Sequence, residues 1–264
     1  MIAPLLLAVV AAAAAPGVAA TSDARCCAVL ELRQYTLHPG TRDVLIDLFE
    51  RAFVESQEAA GIALVGTFRD LDRPDRFVWI RGFPDMDSRA KSLQAFYFGP
   101  VWQAHREAAN ATMIDSDNVL LLRAAGTGAG FAKPASPRAP VGTTTRPRSR
   151  VLATIYSFDA PVDDAFRGFF DRELSPALAA AGVVPIARLE TEAAENTFPR
   201  LPVRTGEHVF VWFARFDDDA ARAAAEAKLA ASSRWIALKP KLETMLKGPV
   251  ERLVLEPTAR SDLR

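Results

Sequence analysis

The sequence predicts an α+β protein built from two ferredoxin-like units, and three observations carry that expectation. First, the chain states nearly the same thing twice. The run Phe77-Val78-Trp79-Ile80-Arg81-Gly82-Phe83 returns as Phe210-Val211-Trp212-Phe213-Ala214-Arg215-Phe216, and at the same offset Arg89 falls on Arg222, Trp102 on Trp235 and Leu122 on Leu255. Second, earlier in each copy the offset is shorter by about a dozen residues, pairing Tyr35 with Tyr156, Phe49 with Phe170 and Gly61 with Gly182. One insertion in the second copy, the Glu- and Pro-containing stretch 191–206, explains the difference. A period this long indicates duplication of a whole small domain, since solenoid repeats are shorter. Third, the periodicities within each copy run strand, helix, strand, strand, helix, strand, which is the ferredoxin-like order.

In the first copy, residues 29–37 alternate as a strand does, with Glu31, Arg33, Tyr35 and Leu37 on one face and Leu30, Leu32, Gln34 and Thr36 on the other. His38-Pro39-Gly40 ends it. Thr41 can cap the next helix, whose apolar positions Val44, Leu45, Leu48, Phe49, Ala52 and Phe53 recur at helical spacing, and Gly61 terminates it. Residues 62–68 form a second strand and 70–76 a turn. In the third strand, 77–83, Phe77, Trp79, Arg81 and Phe83 share a side. A helix opened by Asp85 or Asp87 runs to about residue 98, Gly99-Pro100 starts a short helix around 102–111, and 118–123 is the fourth strand. The second copy places strands at 151–158, 183–189, 208–216 and 251–255 and helices at 162–181 and 219–231. Ser175-Pro176 predicts a kink there that the first copy lacks.

Composition bounds the rest. Of 264 residues, half are hydrophobic and a quarter charged, with Lys plus Arg equal to Asp plus Glu, so charge gives no reason to expect nucleic acid, a polyanion or an anionic membrane as partner. Residues 1–20 read as a secretory signal, with Leu5-Leu6-Leu7-Ala8-Val9-Val10, an alanine run and a small-residue site ending at Ala20; the mature chain is expected to be periplasmic or secreted. No later segment approaches spanning length. The domains expected are 28–123 and 151–257, joined by 124–150, a Pro- and Gly-rich linker whose charges are Lys133, Arg138, Arg146, Arg148 and Arg150 and which reads as a solvated connection. Cys26 and Cys27 are adjacent and cannot staple the domains together. A disulfide between neighbours, an intermolecular bridge and idle thiols stay open for them.

The run Leu30-Glu31-Leu32-Arg33-Gln34-Tyr35-Thr36-Leu37-His38-Pro39-Gly40, the amphipathic helix, Leu64-Val65-Gly66, the Val78-Trp79 strand and the segment around Trp102 together resemble the NIPSNAP family. The second copy is a degenerate match: Leu152 and Thr154 stand where Glu31 and Arg33 stand. The resemblance implies a dimeric α+β barrel in which two ferredoxin-like units pack sheet to sheet. With both halves in one chain, an intrachain pseudo-dimer follows, open to further homo-oligomerisation. Related barrels include cofactor-free monooxygenases, isomerases and haem enzymes, so the fold leaves activity open.

Candidate chemistry centres on the first copy. Period-two spacing aims Glu31, Arg33 and Tyr35 at one side of one strand. If that face lines the barrel, they meet Trp79 and Arg81 in a pocket with an apolar wall and a few polar groups; otherwise Glu31 and Arg33 pair with Arg81 across strands and stabilise the sheet. Trp102 joins the ligand-contact candidates. Tyr35 and His105 are the candidates for proton handling, His105 as the best placed of the three histidines. His38 reads as a turn residue and His208 as structural. No histidine, cysteine or carboxylate spacing marks a metal site, and Asp217-Asp218-Asp219 reads as helix-dipole complement. No cofactor is expected. Three functions stay open: an exported protein binding a small, mainly apolar molecule or acting as an accessory module; a cofactor-independent enzyme in the first domain, with Arg33 binding an anionic group; and a structural interaction protein. The polar strand face survives only in the first copy, so chemistry is expected in 28–123, with the second half closing the barrel.

Overall fold

The computed structural model describes residues 26–134 and 136–264; the expected signal at 1–20 lies outside the described residues. In chain order the elements are β1 (Val29–Leu37), α1 (Arg42–Leu48), α2 (Val54–Ala59), β2 (Ala63–Asp70), β3 (Arg76–Phe83), α3 (Met86–Tyr97), α4 (Pro100–Asn110), β4 (Met113–Asp115) and β5 (Val119–Ala124). The second half supplies β6 (Arg150–Phe158), α5 (Asp164–Phe169), α6 (Ser175–Ala180), β7 (Pro185–Thr191), β8 (His208–Phe216), α7 (Asp219–Ala230), α8 (Ser233–Glu243) and β9 (Glu251–Pro257).

Eight strands close on themselves in the order β1-β3-β2-β9-β6-β8-β7-β5, all antiparallel, with β5 returning to β1 and the short β4 added at the end of β1. The first half contributes β5-β1-β3-β2 and the second β9-β6-β8-β7. The joins are β2 with β9 and β5 with β7, so closure removes the exposed edge that an open four-stranded sheet would present.

Side-chain alternation decides what fills the barrel. Leu30, Leu32, Val78, Ile80, Leu120 and Leu122 point inward and meet Val151, Ala153, Ile155, Val209, Val211 and Phe213 from the other half in one apolar core. The opposite face points out, under the helices. Tyr35, Phe77, Trp79, Phe83 and Leu121 pack there against α1 to α4, and Leu152, Tyr156, Phe210, Trp212 and Ala214 against the helices of the second half. The face carrying Glu31, Arg33 and Tyr35 therefore does not line the barrel, because eight strands closing at this radius leave an interior that side chains fill, and the apolar face takes it.

Each half joins its first two helical segments through a π-helical turn, Phe49–Phe53 in one and Phe170–Leu174 in the other. The irregularity expected only in the second half, from Ser175-Pro176, is thus shared, and Pro176 sits in the first turn of α6, where a missing N–H costs little. Gly61 and Gly182 end these helices at φ of 86° and 93°, a conformation that disfavours any side chain. Asp85 and Asp218 cap α3 and α7 through their carboxylates. Thr41 stands at the start of α1, but its hydroxyl donates to the His38 and Thr112 carbonyls and does not cap.

The linker is less solvated than its composition suggests. Phe131 enters the barrel core, its ring 4.9 Å from that of Phe213, and its carbonyl accepts from the Cys26 amide. Arg138 donates to the Leu64 and Arg260 carbonyls and pairs with Asp262 and Glu58. Arg146 and Arg150 pair with Glu256, and Arg148 with Asp218. The chain end packs in as well: Thr258, Arg260 and Ser261 are buried, with Arg260 bonded to Glu50 and Glu55 on the first half's helices. Cys26 and Cys27 are disulfide-bonded to each other. No described helix is long and apolar enough to cross a membrane.

Candidate functional site: two helix-covered faces, one filled and one hollow

The antiparallel register of β1 and β3 sets Glu31 opposite Arg81, Arg33 opposite Trp79 and Tyr35 opposite Phe77. The structure brings five of the residues singled out by sequence, Glu31, Arg33, Tyr35, Trp79 and Arg81, into one buried cluster, and α3 adds Arg89. Glu31 is its hub. One carboxylate oxygen accepts from Arg33 Nη1 at 2.6 Å and Arg81 Nε at 2.7 Å, and the other from Arg89 Nε at 2.7 Å. Arg33 also donates through Nε to the Tyr35 hydroxyl at 3.1 Å, and its guanidinium lies 5.5 Å from the Trp79 ring centre. That of Arg81 lies 4.9 Å from the same ring. Burial alone opposes charge on Glu31, yet the three guanidinium groups outweigh it and hold the carboxyl far below the usual range. Burial likewise raises the Tyr35 phenol, against the pull of Arg33.

This cluster has a roof that the sequence did not announce. The inserted stretch 191–206 leaves β7 and lies over the first half. Asn196 Oδ1 and Thr197 Oγ1 accept from Arg89 Nη1 at 2.9 and 3.3 Å, and the Phe198 ring stacks on Tyr97 with 28° between planes. Trp102 is half-buried beside it, 4.9 Å from Tyr97 and 5.4 Å from Phe53. His105 stands apart, its ring 6.2 Å from Phe53 and outside the hydrogen bonds of the cluster. Arg33, considered above as an anion binder, turns its guanidinium to Glu31, Tyr35 and the Ser116 carbonyl. The space is occupied by the protein's own ions.

The second half repeats the register: Leu152 stands opposite Ala214, Thr154 opposite Trp212 and Tyr156 opposite Phe210. Position by position, Leu152 takes the place of Glu31, Thr154 of Arg33, Ala214 of Arg81 and, on the following helix, Ala230 of Tyr97. Three large side chains have become small. Where the first half holds its ion cluster, the second holds a cavity of about 300 Å³, floored by Leu152, Thr154, Tyr156 and Trp212 and walled by Trp235 and Leu242 of α8. Its rim charges are matched: Glu226 with Arg222 and Arg252, and Glu243 with Lys239. Deeper in, Thr154 Oγ1 and Trp212 Nε1 are buried with no hydrogen-bond partner among the described residues. Burial pushes the Tyr156 phenol up to about 12, the Trp212 indole and Arg252 acting the other way, so it is neutral near pH 7. The cavity lies in the half expected only to close the barrel. A wider depression of about 520 Å³ under the inserted stretch is lined by paired surface charges, among them Glu190 with Arg123 and Arg167.

No group of described residues could hold a metal ion. His38 is exposed in its turn, and His208 starts β8 opposite Phe158. Of the acidic triplet, Asp218 caps α7 while Asp217 and Asp219 pair with Arg215 and Arg222.

Among curated proteins no match to the chain is found. Among solved structures, an anthrone oxidase-like protein shares the fold over 92% of this chain and 97% of its own, at 13% identity and a TM-score of 0.55. A protein of Fusobacterium nucleatum, named as a candidate monooxygenase, does so over 87% and 92%, at 8% identity and 0.52. A NIPSNAP family protein with unknown function from Agrobacterium tumefaciens aligns with 38% of this chain and 89% of its own, at 22% identity and 0.35. At these identities the likeness to the first two is one of fold alone. The family model named NIPSNAP matches residues 30–127, so the first half of the chain is similar to that family.

Proposed function

We propose that the protein binds a small, mainly apolar molecule, and that it does so in the cavity between β6, β8 and α8. The observation that carries this reading is the hollowing of the second half: Thr154, Ala214 and Ala230 leave about 300 Å³ where Arg33, Arg81 and Tyr97 fill the first. A cavity of this size, with apolar and aromatic walls and few polar groups, suits a one- or two-ring compound. The enzyme reading in the first half has lost its space, since Arg33 and Tyr35 are tied to each other and to Glu31. Titration with naphthalene, followed by calorimetry, tests the proposal. One molecule per chain should bind to the wild type, and Ala230→Tyr, which restores the side chain that fills the first half, should abolish binding. Absence of binding, or equal binding by Ala230→Tyr, contradicts it.

The two halves are read here as ferredoxin-like units of a duplicated domain, arranged as a pseudo-dimer within one chain. The matched strand orders, registers and π-helical turns support this. Export with cleavage after Ala20 is proposed from the sequence of residues 1–20; N-terminal sequencing of protein recovered from outside the cytoplasm should begin at Thr21, and a start at Met1 contradicts it.

A further inference from the structure

We infer that the molecule held in the second-half cavity presents a hydrogen-bond acceptor, a ketone or phenolic oxygen, to Trp212 and Thr154. The inference rests on the binding reading above and adds a chemical class to it. Trp212 and Thr154 face each other across β8 and β6, and among the described residues their buried Nε1 and Oγ1 atoms have no partner at hydrogen-bond distance, the Tyr156 phenol being the one group on which the indole acts as a donor. An indole N–H can only donate, so whatever meets it must accept. Leaving such a group unmet in an apolar site is unfavourable, which makes it a device for discrimination: a ligand lacking the acceptor forfeits the bond and leaves the donor desolvated.

Two further observations argue against a charged ligand. Arg252 stands opposite Thr154 on β9, and its charge is matched at the rim by Glu226. The cavity floor holds no carboxylate, because Leu152 replaces Glu31, and the rim carboxylates are paired. A cationic ligand finds no partner there. The first half provides the contrast: Trp79 Nε1 is also unpartnered, but the guanidinium groups of Arg33 and Arg81 cover its ring, leaving no room for a ligand. The occupant inferred is thus an uncharged ring system with one oxygen directed at the sheet.

The test uses probes of one shape on the intact protein: tetralin, 1-tetralone and protonated 2-aminotetralin. The wild type should bind 1-tetralone about tenfold more tightly than tetralin, and the amine more weakly than either. Thr154→Val and Trp212→Phe should each erase most of the ketone's advantage, read as the ratio of 1-tetralone to tetralin affinity within the same variant. A readout free of mutation is the carbonyl carbon resonance of ¹³C-labelled 1-tetralone, which in the bound state should lie downfield of its position in cyclohexane, where the oxygen accepts nothing. Equal affinities for tetralin and 1-tetralone, or a bound carbonyl resonance at its cyclohexane position, overturn the acceptor while the cavity reading stands. Failure of all three probes to bind overturns both.

Discussion

Glu31 is the residue on which the first half's outer face depends. Three guanidinium groups converge on one carboxylate that is fully buried. Removing one partner from such a buried set is costly because uncompensated charge stays behind, about 3–5 kcal/mol. Glu31→Gln is therefore expected to lower the midpoint of urea denaturation markedly, because Arg33, Arg81 and Arg89 keep their buried charges. Denaturant titration of that variant beside the wild type checks this, and a mild effect contradicts it. The pH dependence follows from the same residue. Its folded-state carboxyl is depressed, so its contribution is fully present above the unfolded value of about 4.3 and is lost as pH falls toward the folded one. Stability should drop below about pH 4, more steeply in the wild type than in Glu31→Gln. Tyr156 runs the other way. With its phenol raised to about 12, stability declines as pH climbs above about 10, where the unfolded phenol ionises, and is lost through the folded value.

At the scale of elements, the inserted stretch between β7 and β8 decides how the halves are coupled. It belongs to the second half by sequence and covers the first by contact, through Asn196 and Thr197 on Arg89 and Phe198 on Tyr97. Backbone bonds Glu192 to Leu121 and Arg204 to Val119 tie its two ends to β5. Phe198→Ala removes the stacked ring, and amide exchange in residues 194–203 should quicken by about tenfold while the barrel strands keep their protection; unchanged exchange there contradicts the role of the ring. Nothing in the stretch itself announces this role, since its Pro, Glu and Asn residues read as an ordinary loop. The eight barrel strands were legible in the sequence, whereas the three-residue β4 was not, being too short to show an alternation. The helix α8 was not, because Ser232-Ser233 and Pro240 interrupt its pattern. Neither was the π-helical turn, which leaves no mark in the spacing of Phe49 and Phe53.

For the molecule as a whole, closure through β2 with β9 and β5 with β7 makes the two halves one cooperative structure. Residues 28–123 alone would expose two strand edges and the inner face of Leu30, Leu32, Val78 and Ile80. Expressed separately, that half should dimerise or aggregate, and a stable monomer by light scattering contradicts the closed-barrel reading. The sequence also carried the clue to which face turns inward, since Leu30, Leu32, Val78, Ile80, Leu120 and Leu122 share a parity and lack charge. The polar face drew attention to itself because charged residues resemble chemistry, although here they are spent on one another. The cavity escaped notice for the opposite reason. It arises from what Thr154, Ala214 and Ala230 lack, and small residues acquire that meaning only when register sets them against Arg33, Arg81 and Tyr97.

A crystal structure of the protein soaked with 1-tetralone would locate the ligand outright. One molecule should lie between Trp212 and Trp235 with its oxygen toward Thr154, and none among Glu31, Arg33 and Arg81. A molecule inside the barrel or beside Arg33, with the second-half cavity empty, would contradict it.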